Sequence, residues 1–454
     1  MKRKQYIPRP AALAAALLLA GVLPSCSLEG TRDRLPDLPI TFTAFTENLT
    51  REEAITSGGT GGAALGDIRV FAVSPGSLVN ANHQVYDALF YDTFRESNGE
   101  YVSDNPYYWP KHQDYVRFMA FNGYKAETGK AYGSTVLGGE VHIELPYNDG
   151  PNNTNYVQAK MPGVHDITIP RKAADQFDLM IAKTSSVNTG AADFDHSRPS
   201  ALNFRHTMSR IKVLSVNDAP NITVTVLGCR IVKVKDRADL YFPKGYTDQN
   251  NNGTGNNFLV RDEIWANYEE SGTTPLFTAL AAEVSGAVQV SHDAAKPTDI
   301  VLGGGGDSFM LLPQEATGWD GTSTTPARAY ISVLCRITQK DGTASGTYQL
   351  FPSALTAGNA DKYAYTAVPI TTDWHPGRTY TYTLKFFDSA TGGGGGLTDP
   401  IAHVAEAGDK ISGSIVAPPS AVTDVVGGSL SFTLDVSGWG NADYGVDLTD
   451  PNTP

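Results

Sequence analysis

The chain has 454 residues, of which 41% are hydrophobic and only 18% are charged, below the ~25% usual for soluble domains. Its 45 glycines and 27 prolines argue against a coiled coil or a helical array, and its formal net charge of −13 argues against a nucleic-acid-binding protein. Because 10% of the residues are aromatic, a disordered chain is also excluded, and we expect an acidic, β-rich protein of two or three domains.

The first residues have the pattern of an export signal. Four basic residues accompany the apolar run Ala11–Leu23, which would span roughly 20 Å as a helix and is too short for a ~30 Å hydrocarbon core. We therefore interpret residues 1–25 as a signal peptide. Leu23-Pro24-Ser25-Cys26 resembles the bacterial lipobox, and lipidation of Cys26 would supply the acyl chains that anchor a protein to the outer membrane. The alternative is an ordinary secretory signal that contains a cysteine.

Loss of residues 1–25 would change both the charge and the cysteine count. The removed segment carries four basic and no acidic residues, so the mature charge would be −17, and a basic membrane-binding patch is not expected. Two cysteines would remain besides Cys26, and both Cys229 and Cys335 lie in strand-like runs. They could form a disulfide in an oxidising exterior or stay as buried free thiols.

From Ile40 onward, short apolar runs alternate with turn residues. Period-two alternation with one apolar face is typical of half-buried antiparallel strands, and many such strands predict an all-β protein built from sandwiches. The best helical candidates are only Arg171–Phe177 and Pro400–Ala407. The predicted strands are Ile40–Phe45, Ile68–Val73, Val116–Phe121, Val141–Leu145, Asp178–Lys183, Arg210–Val216, Ile222–Leu227, Ser308–Leu312, Ala329–Ile337, Tyr380–Phe387 and Leu430–Val436.

Polar and glycine-rich stretches indicate how the chain divides. A boundary is expected near residues 190–203, and the runs Gly303–Gly306 and Gly392–Gly396 are predicted to be flexible. The predicted parts are an N-terminal linker at 26–39, an N-terminal β-sandwich at 40–195, a C-terminal β-sandwich at 200–390, and a glycine-rich link with a C-terminal tail at 391–454.

Five short motifs follow the lipobox in order. They are Tyr107-Tyr108-Trp109-Pro110 with Val116–Phe121, Asp178–Ala182, Phe204–Ile211, Phe309–Gln314 and Trp374–Tyr382. Over residues 40–390 they resemble the fimbrillin (Mfa-like) family of Bacteroidales lipoproteins, which are type V pilus subunits or pilus-associated proteins. The resemblance implies two tandem transthyretin-like Greek-key β-sandwich domains with a C-terminal tail strand. It also implies a structural subunit, anchor or tip component of a cell-surface pilus (fimbria) that supports adhesion.

The resemblance further implies a mode of assembly. In that family a trypsin-like protease can remove the first strand, and a C-terminal strand of a neighbouring pilin subunit fills the groove by β-augmentation. Here Ile40–Phe45 would be removed, with Arg51 as the closest cleavage candidate and Arg32 and Arg34 as alternatives. Arg51 could instead be a solvated loop residue.

The candidate donor strand is the last predicted strand. Its apolar face carries Leu430, Phe432, Leu434 and Val436. This strand could instead pair within its own domain, as an ordinary half-buried strand does.

The sequence does not predict catalytic, metal-binding or cofactor-binding residues. The nine histidines include no pair at HExxH spacing, and His206 is interpreted as a packed, hydrogen-bonded structural residue. The loop from Asp248 matches only half of a calcium loop, because its twelfth position is Leu259 instead of a glutamate. The glycine runs lack the lysine and hydroxyl residue of a P-loop. We therefore expect no enzyme, no metal, no cofactor and no nucleic-acid partner.

An alternative function remains open. The rings of Tyr107, Tyr108 and Trp109 could form a sugar-stacking platform, although we interpret them as core residues because large rings contribute much buried area. The alternative is a non-polymerising surface lipoprotein of the outer membrane that binds a glycan or a host ligand.

Overall fold

The structure, a computed structural model, describes thirteen stretches of the chain. Cys26, Arg32, Arg34, Arg51 and the loop from Asp248 lie outside the described residues. The described stretches are 38–46, 65–75, 86–109, 116–122, 140–142, 163–176, 178–183, 194–241, 265–270, 275–303, 307–342, 346–406 and 408–438.

The alternating segments fold as β-strands, and each of the eleven predicted strands overlaps an observed one. The strands up to residue 206 are β1 (Phe42–Thr46), β2 (Ile68–Pro75), β3 (Tyr86–Ser97), β4 (Glu100–Ser103), β5 (Arg117–Phe121), β6 (Glu140–His142), β7 (Gly163–Thr168), β8 (Met180–Lys183) and β9 (Ser200–His206). The later strands are β10 (Ser209–Asn217), β11 (Ile222–Val232), β12 (Arg237–Tyr241), β13 (Trp265–Glu269), β14 (Leu276–Leu280), β15 (Val288–Gln289), β16 (Thr298–Asp299), β17 (Phe309–Leu311), β18 (Glu315–Ala316), β19 (Tyr330–Lys340), β20 (Thr347–Phe351), β21 (Ala364–Pro369), β22 (Thr372–Asp373), β23 (Arg378–Phe386), β24 (Leu397–Thr398) and β25 (Ser431–Gly438).

Helix is confined, within the described residues, to three single 3₁₀ turns. They are Ala173–Asp175, Val284–Gly286 and Ser412–Ser414. The first lies inside the helical candidate Arg171–Phe177, but residues 400–406 of the second candidate are irregular, and that prediction was wrong. The reason is that a buried arginine takes up the carbonyl groups there, which a helix would need for its own hydrogen bonds. The all-β prediction is confirmed.

The described strands before residue 207, except β6 and β7, close into a barrel. Its order is β1-β4-β3-β2-β5-β8-β9, and β1 completes the ring by pairing with β9 in parallel and with β4 in antiparallel orientation. The barrel core is rich in phenylalanine, which suits strands whose inward residues must fill a closed interior. Its buried phenylalanines are Phe42, Phe90, Phe94, Phe118 and Phe204.

Most of the later strands form two facing sheets, whereas β12 and β13 join a third sheet and β18 pairs with β22. One has the order β16-β10-β23-β25 with β17 also on β10, and the other has the order β14-β11-β19-β21-β24 with β15 and β20 attached. Ile211 and Leu384 of the first sheet share one core cluster with Val226 and Val333 of the second. The two sheets therefore pack as a sandwich.

A four-stranded sheet of order β13-β12-β7-β6 joins strands from the earlier and the later part of the chain. β7 pairs with β12 in antiparallel orientation, so hydrogen bonds cross the predicted boundary between residues 195 and 200. The two-domain division stays a prediction.

The segment at residues 391–430, here called the strap, is packed against the second sheet of the sandwich. Its glycine run pairs with its own C-terminal part, because Gly394 N–H donates to Ser429 O at 2.9 Å and Gly396 N–H donates to Gly428 O at 2.9 Å. The two ends of the strap are thus joined by a short backbone ladder, and β25 begins directly after it.

Glycine is required in this ladder by close backbone contacts. A Cβ atom on Gly396, which has a φ of +100°, would lie 2.4 Å from Thr366 Oγ1, and one on Gly394 would lie 2.6 Å from the Gly427 backbone. The prediction of a flexible link at Gly392–Gly396 was therefore wrong for its second half. A glycine run can serve either as a loose linker or as a close-packed strand, and composition does not separate the two.

Candidate assembly strands

β1 is a strand of the barrel wall whose inward side chains pack in the barrel core. The Phe42 side chain is fully buried, and its ring meets those of Phe94 and Phe118 edge to face, with centroids 5.0 and 4.9 Å apart. Ile40 and Ala44 on the same face are also buried. Each edge-to-face pair contributes about 0.5–1.5 kcal/mol of stability beyond that of the apolar area it buries. The side chains of β1 thus fill a cavity that the rest of the barrel leaves open.

Backbone hydrogen bonds hold both edges of this segment. Ile40 N–H donates to Tyr107 O at 2.6 Å, and Ser200 N–H donates to Thr41 O at 2.9 Å. The parallel register with β9 runs over five residue pairs, from Phe42 opposite Ser200 onward. Removal of β1 would expose an apolar groove with an unpaired strand edge on each side, which is the geometry that β-augmentation uses.

β25 pairs within its own chain in the structure. It runs antiparallel to β23 over eight residue pairs, from Ser431 opposite Lys385 to Gly438 opposite Arg378. The arrangement is the one that the sequence left open as the alternative to strand donation. The proposed role of β25 as a donor strand stays a prediction.

The apolar face of β25 is covered unevenly. Leu430, just before the strand, is buried, and the Phe432 ring packs 5.6 Å from the Tyr382 ring. Leu434 and Val436 are 43% and 50% exposed. Within the described chain, β25 also pairs only with β23 and forms the edge of its sheet. An edge strand with exposed aliphatic residues is a ready partner for another chain.

The base of β25 is fixed by a carboxylate. Ser431 Oγ donates to Asp388 Oδ2 at 2.8 Å, and this bond, together with one from the Ala390 N–H, holds the pKa of Asp388 below its usual value. The strand is therefore anchored where it leaves the strap and least covered towards Val436.

A buried ion pair ties the strap to the sandwich. Arg230 and Asp399 are both fully buried, with Nη2 2.7 Å from Oδ2. Arg230 also donates to Ile401 O at 2.6 Å and stacks 3.7 Å from the Tyr365 ring centroid, while Tyr330 OH donates to the other carboxylate oxygen at 3.0 Å. Burial alone would lower the pKa of Arg230, but Asp399 together with Tyr365 and Tyr330 outweighs that effect and raises the pKa. Both ions are thus fully compensated.

A second polar contact on the strap is centred on His403. Tyr365 OH lies 2.8 Å from His403 Nδ1, and His403 Nε2 lies 2.7 Å from Asp409 Oδ2. Burial would raise the pKa of Asp409, but hydrogen bonds from Ser412, His403 and the Ile411 N–H lower it to about 2. The contact therefore holds an ionised carboxylate at the surface of the strap.

The sequence did not predict the Arg230–Asp399 pair. The available signal was a lone arginine within the apolar run Val224–Val232, where a charged residue needs a buried partner. Its partner lies in the predicted tail, 169 residues later, and no local pattern links the two.

One of the family motifs, Phe204–Ile211, contacts two others at the junction between β9 and β10. His206 Nδ1 lies 2.6 Å from Asp178 Oδ2, and Ser209 Oγ donates to His375 O at 2.8 Å. In neutral histidine, the Nδ1–H would donate to the carboxylate. The interpretation of His206 as a hydrogen-bonded structural residue agrees with this contact.

Gln314 connects its own motif, Phe309–Gln314, to the motif Trp374–Tyr382 and to Lys235. Its side chain accepts from Lys235 N–H at 2.6 Å and donates to Lys235 O at 3.0 Å, and its carbonyl accepts from Trp374 N–H at 3.1 Å. The motif residues thus hold strand ends together and shape the scaffold that carries β1 and β25.

The aromatic motif near β4 is divided between core and surface. Trp109 is buried and Tyr107 stacks on Phe90 with centroids 4.4 Å apart, whereas Tyr108 is half exposed. Tyr107 OH also donates to Asp92 at 2.9 Å. Core packing accounts for Tyr107 and Trp109, as expected, but not for Tyr108, which departs from the expectation.

Both cysteines of the sandwich are free and buried. They lie on adjacent strands, with Cys229 opposite Val333 and Cys335 opposite Val226, and burial raises the pKa of each thiol. Of the two open interpretations, buried free thiols is the one that the structure has. Within the described stretches, no three His, Cys, Asp or Glu side chains cluster as metal ligands would, and no helix is long and apolar enough to cross a membrane.

Solved structures with similar chains come from Bacteroides and Parabacteroides species, and no curated protein sequence matches. A fimbrial protein from Bacteroides vulgatus is 12% identical with a TM-score of 0.46, over 88% of this chain and 99% of that one. Candidate cell adhesion proteins from Bacteroides ovatus and Bacteroides eggerthii are each 12% identical with a TM-score of 0.36, over 90% of this chain and 100% and 98% of theirs.

A family model described as Fimbrillin-like matches residues 59–399, about three quarters of the sequence. This match confirms the resemblance drawn from the five motifs. The chain belongs to the fimbrillin-like family.

Proposed function

We propose that this protein is a structural subunit, anchor or tip component of a cell-surface pilus and supports adhesion. It is exported, lipidated at Cys26 and held at the outer membrane, and it assembles with other pilin subunits by strand exchange. Membership of the fimbrillin-like family supports the pilus role. No catalytic step is part of this proposal.

The observation that carries the proposal is the contrast between the first and last strands. β1 fills a phenylalanine-lined core and closes the barrel, whereas β25 lies at a sheet edge with Leu434 and Val436 about half exposed. Loss of β1 would create an acceptor groove, and β25 of a neighbour offers an alternating apolar face to fill it.

A protease that cuts only after arginine provides the test. We expect the full chain to lose an N-terminal fragment and then to form a ladder of oligomers in size-exclusion chromatography. The matched control, Arg51→Lys, keeps the charge and should resist cleavage at the closest candidate site. Arg32→Lys and Arg34→Lys extend the control to the alternatives.

Truncation after Ser429 separates donation from intramolecular support. On our proposal the truncated chain stays folded and is still cleaved, but it remains monomeric. Cleaved full-length chains that stay monomeric, or a truncated chain that unfolds, would overturn the strand-exchange proposal.

A cavity favours the alternative function, a non-polymerising surface lipoprotein that binds a glycan or a host ligand. An open pocket of about 370 Å³ lies between the strap and the segment after β20, with Pro352, Pro418 and Val425 among its apolar walls and Asn359 and Asp424 among its polar groups. This volume falls in the range of small-ligand pockets. Saturation-transfer NMR with a panel of monosaccharides tests it, because an occupied cavity would transfer magnetisation and Asp424→Ala would reduce that transfer.

A further inference from the structure

The first and last strands begin with the same short pattern. Ile40-Thr41-Phe42-Thr43-Ala44 and Leu430-Ser431-Phe432-Thr433-Leu434 each have an aliphatic residue, a hydroxyl residue, phenylalanine, threonine and an aliphatic residue, in that order. In both segments the odd positions of the five form the apolar face. One segment lies at each end of the described chain, so this chain contains a partial copy of its own β1.

The middle residue of the first pattern, Phe42, is the one that the barrel core encloses most tightly. The Phe42 ring makes edge-to-face contacts with Phe94 and Phe118 and is fully buried. An aliphatic side chain in that place would leave part of the ring-shaped space empty, and cavities of that kind are costly. The apolar face of β25 offers one aromatic residue, Phe432.

We propose that β25 of a second copy enters the barrel in the register that places Phe432 in the position of Phe42. This inference rests on the proposed strand exchange and adds its register and its main anchor residue. The inserted strand runs as β1 does, parallel to β9 and antiparallel to β4. Thr433 then takes the position of Thr43, opposite Ala201.

The neighbouring register makes different contacts. A shift by two residues keeps the same face inward but puts Leu434 into the Phe42 position and brings Asp435 opposite Ala201. A shift the other way brings Ser431 opposite Ala201. The three registers can therefore be told apart at one residue of β9.

The proposed register requires Leu430 to leave its own buried site. The chain turns just before it, where Gly427 and Gly428 have φ values of +93° and +108° and a Cβ atom would meet nothing closer than 4.0 Å. The missing Cβ atoms leave both glycines free to change φ, and the bonds that Gly428 O and Ser429 O accept from Gly396 and Gly394 would open in the process. The two glycines supply a turning point between the fixed strap and the moving strand.

Disulfide trapping reads the register directly. Two full-length variants are mixed, one with Ala201→Cys and the other with Thr433→Cys, then treated with the arginine-specific protease and oxidised. The matched partners Ser431→Cys and Asp435→Cys replace Thr433→Cys in parallel mixtures. We expect the linked dimer with Thr433→Cys to exceed the other two at least tenfold.

Alanine substitutions give a second, independent readout. Phe432→Ala should weaken association by about 100-fold, as expected for a phenylalanine removed from a packed core. Leu434→Ala should weaken association by no more than about fivefold, because Leu434 then takes the position of Ala44, where only a small side chain is needed and only its exposed half is newly buried. In the neighbouring register the order of the two effects is reversed. Thermal unfolding of each uncleaved monomer corrects for any effect on the chain's own fold.

Failure of the register and failure of strand exchange give different results. Oligomers that link through Asp435→Cys or Ser431→Cys, or that tolerate Phe432→Ala better than Leu434→Ala, overturn the register and leave strand exchange standing. A cleaved chain that forms no oligomers overturns both.

Discussion

The Arg230–Asp399 pair is the contact whose loss should destabilise the C-terminal sandwich most. Both side chains are fully buried, so Asp399→Asn would leave a buried guanidinium without its counter-charge. Breaking such a pair from one side costs about 3–5 kcal/mol, a large part of the 5–15 kcal/mol that holds a typical domain folded. We expect the free energy of unfolding to fall by that amount.

Urea unfolding followed by tryptophan fluorescence measures the change. Asp195→Asn is the matched control, because it breaks an ion pair of 3.1 Å with Arg198 in which the two side chains are 46% and 82% exposed. Exposed pairs contribute at most about 1 kcal/mol. The double variant Arg230→Met with Asp399→Leu removes both charges and should recover more than half of the loss.

Limited proteolysis gives a second readout on the same variant. If Asp399 holds the strap down, Asp399→Asn should be cut within residues 391–430 much faster than the parent chain. If Asp399→Asn has a free energy of unfolding within about 1 kcal/mol of the parent and is cleaved at the same rate, the Arg230–Asp399 pair is not what holds the strap on the sandwich.

Three further predictions concern the strap and the sandwich core. Gly396→Ala should lower the free energy of unfolding by about 1–3 kcal/mol more than Gly408→Ala in urea, because both glycines have positive φ but only the first meets another side chain at 2.4 Å. The pKa of Asp409 is lowered to about 2, below its unfolded value, so its contribution is present above pH ~4 and is lost as the pH falls to about 2. Asp409→Asn should therefore cost about 1 kcal/mol at pH 7, after allowance for solvent screening, and nothing near pH 2, by urea unfolding at each pH. Cys229 and Cys335 should react with a thiol reagent only after unfolding, whereas rapid labelling of the folded chain would contradict their burial.

The alternation of apolar and polar residues predicted the strands, because successive side chains of a half-buried strand point to the buried and the solvent-exposed face in turn. Tyr380–Phe386 is an example, since its buried Tyr382 and Leu384 alternate with partly exposed threonines. The pairing partners were less predictable. β1 lies beside β9, whose paired residues are 158 positions later in the chain, and nothing in Phe42–Thr46 specifies that neighbour.

The strap shows why composition alone failed for part of the candidate site. Gly392–Gly396 has the composition of a loose linker, yet its second half is buried. It packs so closely against the backbone at Gly427 that a Cβ atom on Gly394 would have no room. Phe432, Leu434 and Val436 lie in β25 and Leu430 lies just before it, so the alternation located the strand. How much of its apolar face is covered depends on where the opposing sheet ends, which no local pattern records.

The order of events in the proposed assembly follows from the competition between β1 and β25. While β1 is part of the same chain, its effective concentration at the groove is set by a short connection and reaches millimolar values or more, far above that of a donor strand on another molecule. β1 also buries Ile40, Phe42 and Ala44 almost completely. A donor therefore cannot compete until the covalent link is cut and β1 can diffuse away.

Once β1 is free, the balance shifts towards the donor. In its own sheet, β25 leaves about half of Leu434 and Val436 in water, and burial of that remaining surface contributes about 1 kcal/mol for each residue. Removal of β1 by proteolysis would then act as the switch for polymerisation, because the pairs that β25 gives up at β23 are replaced by pairs to β9 and β4 and its exposed half becomes buried. A chain that formed oligomers before any cleavage would contradict this order.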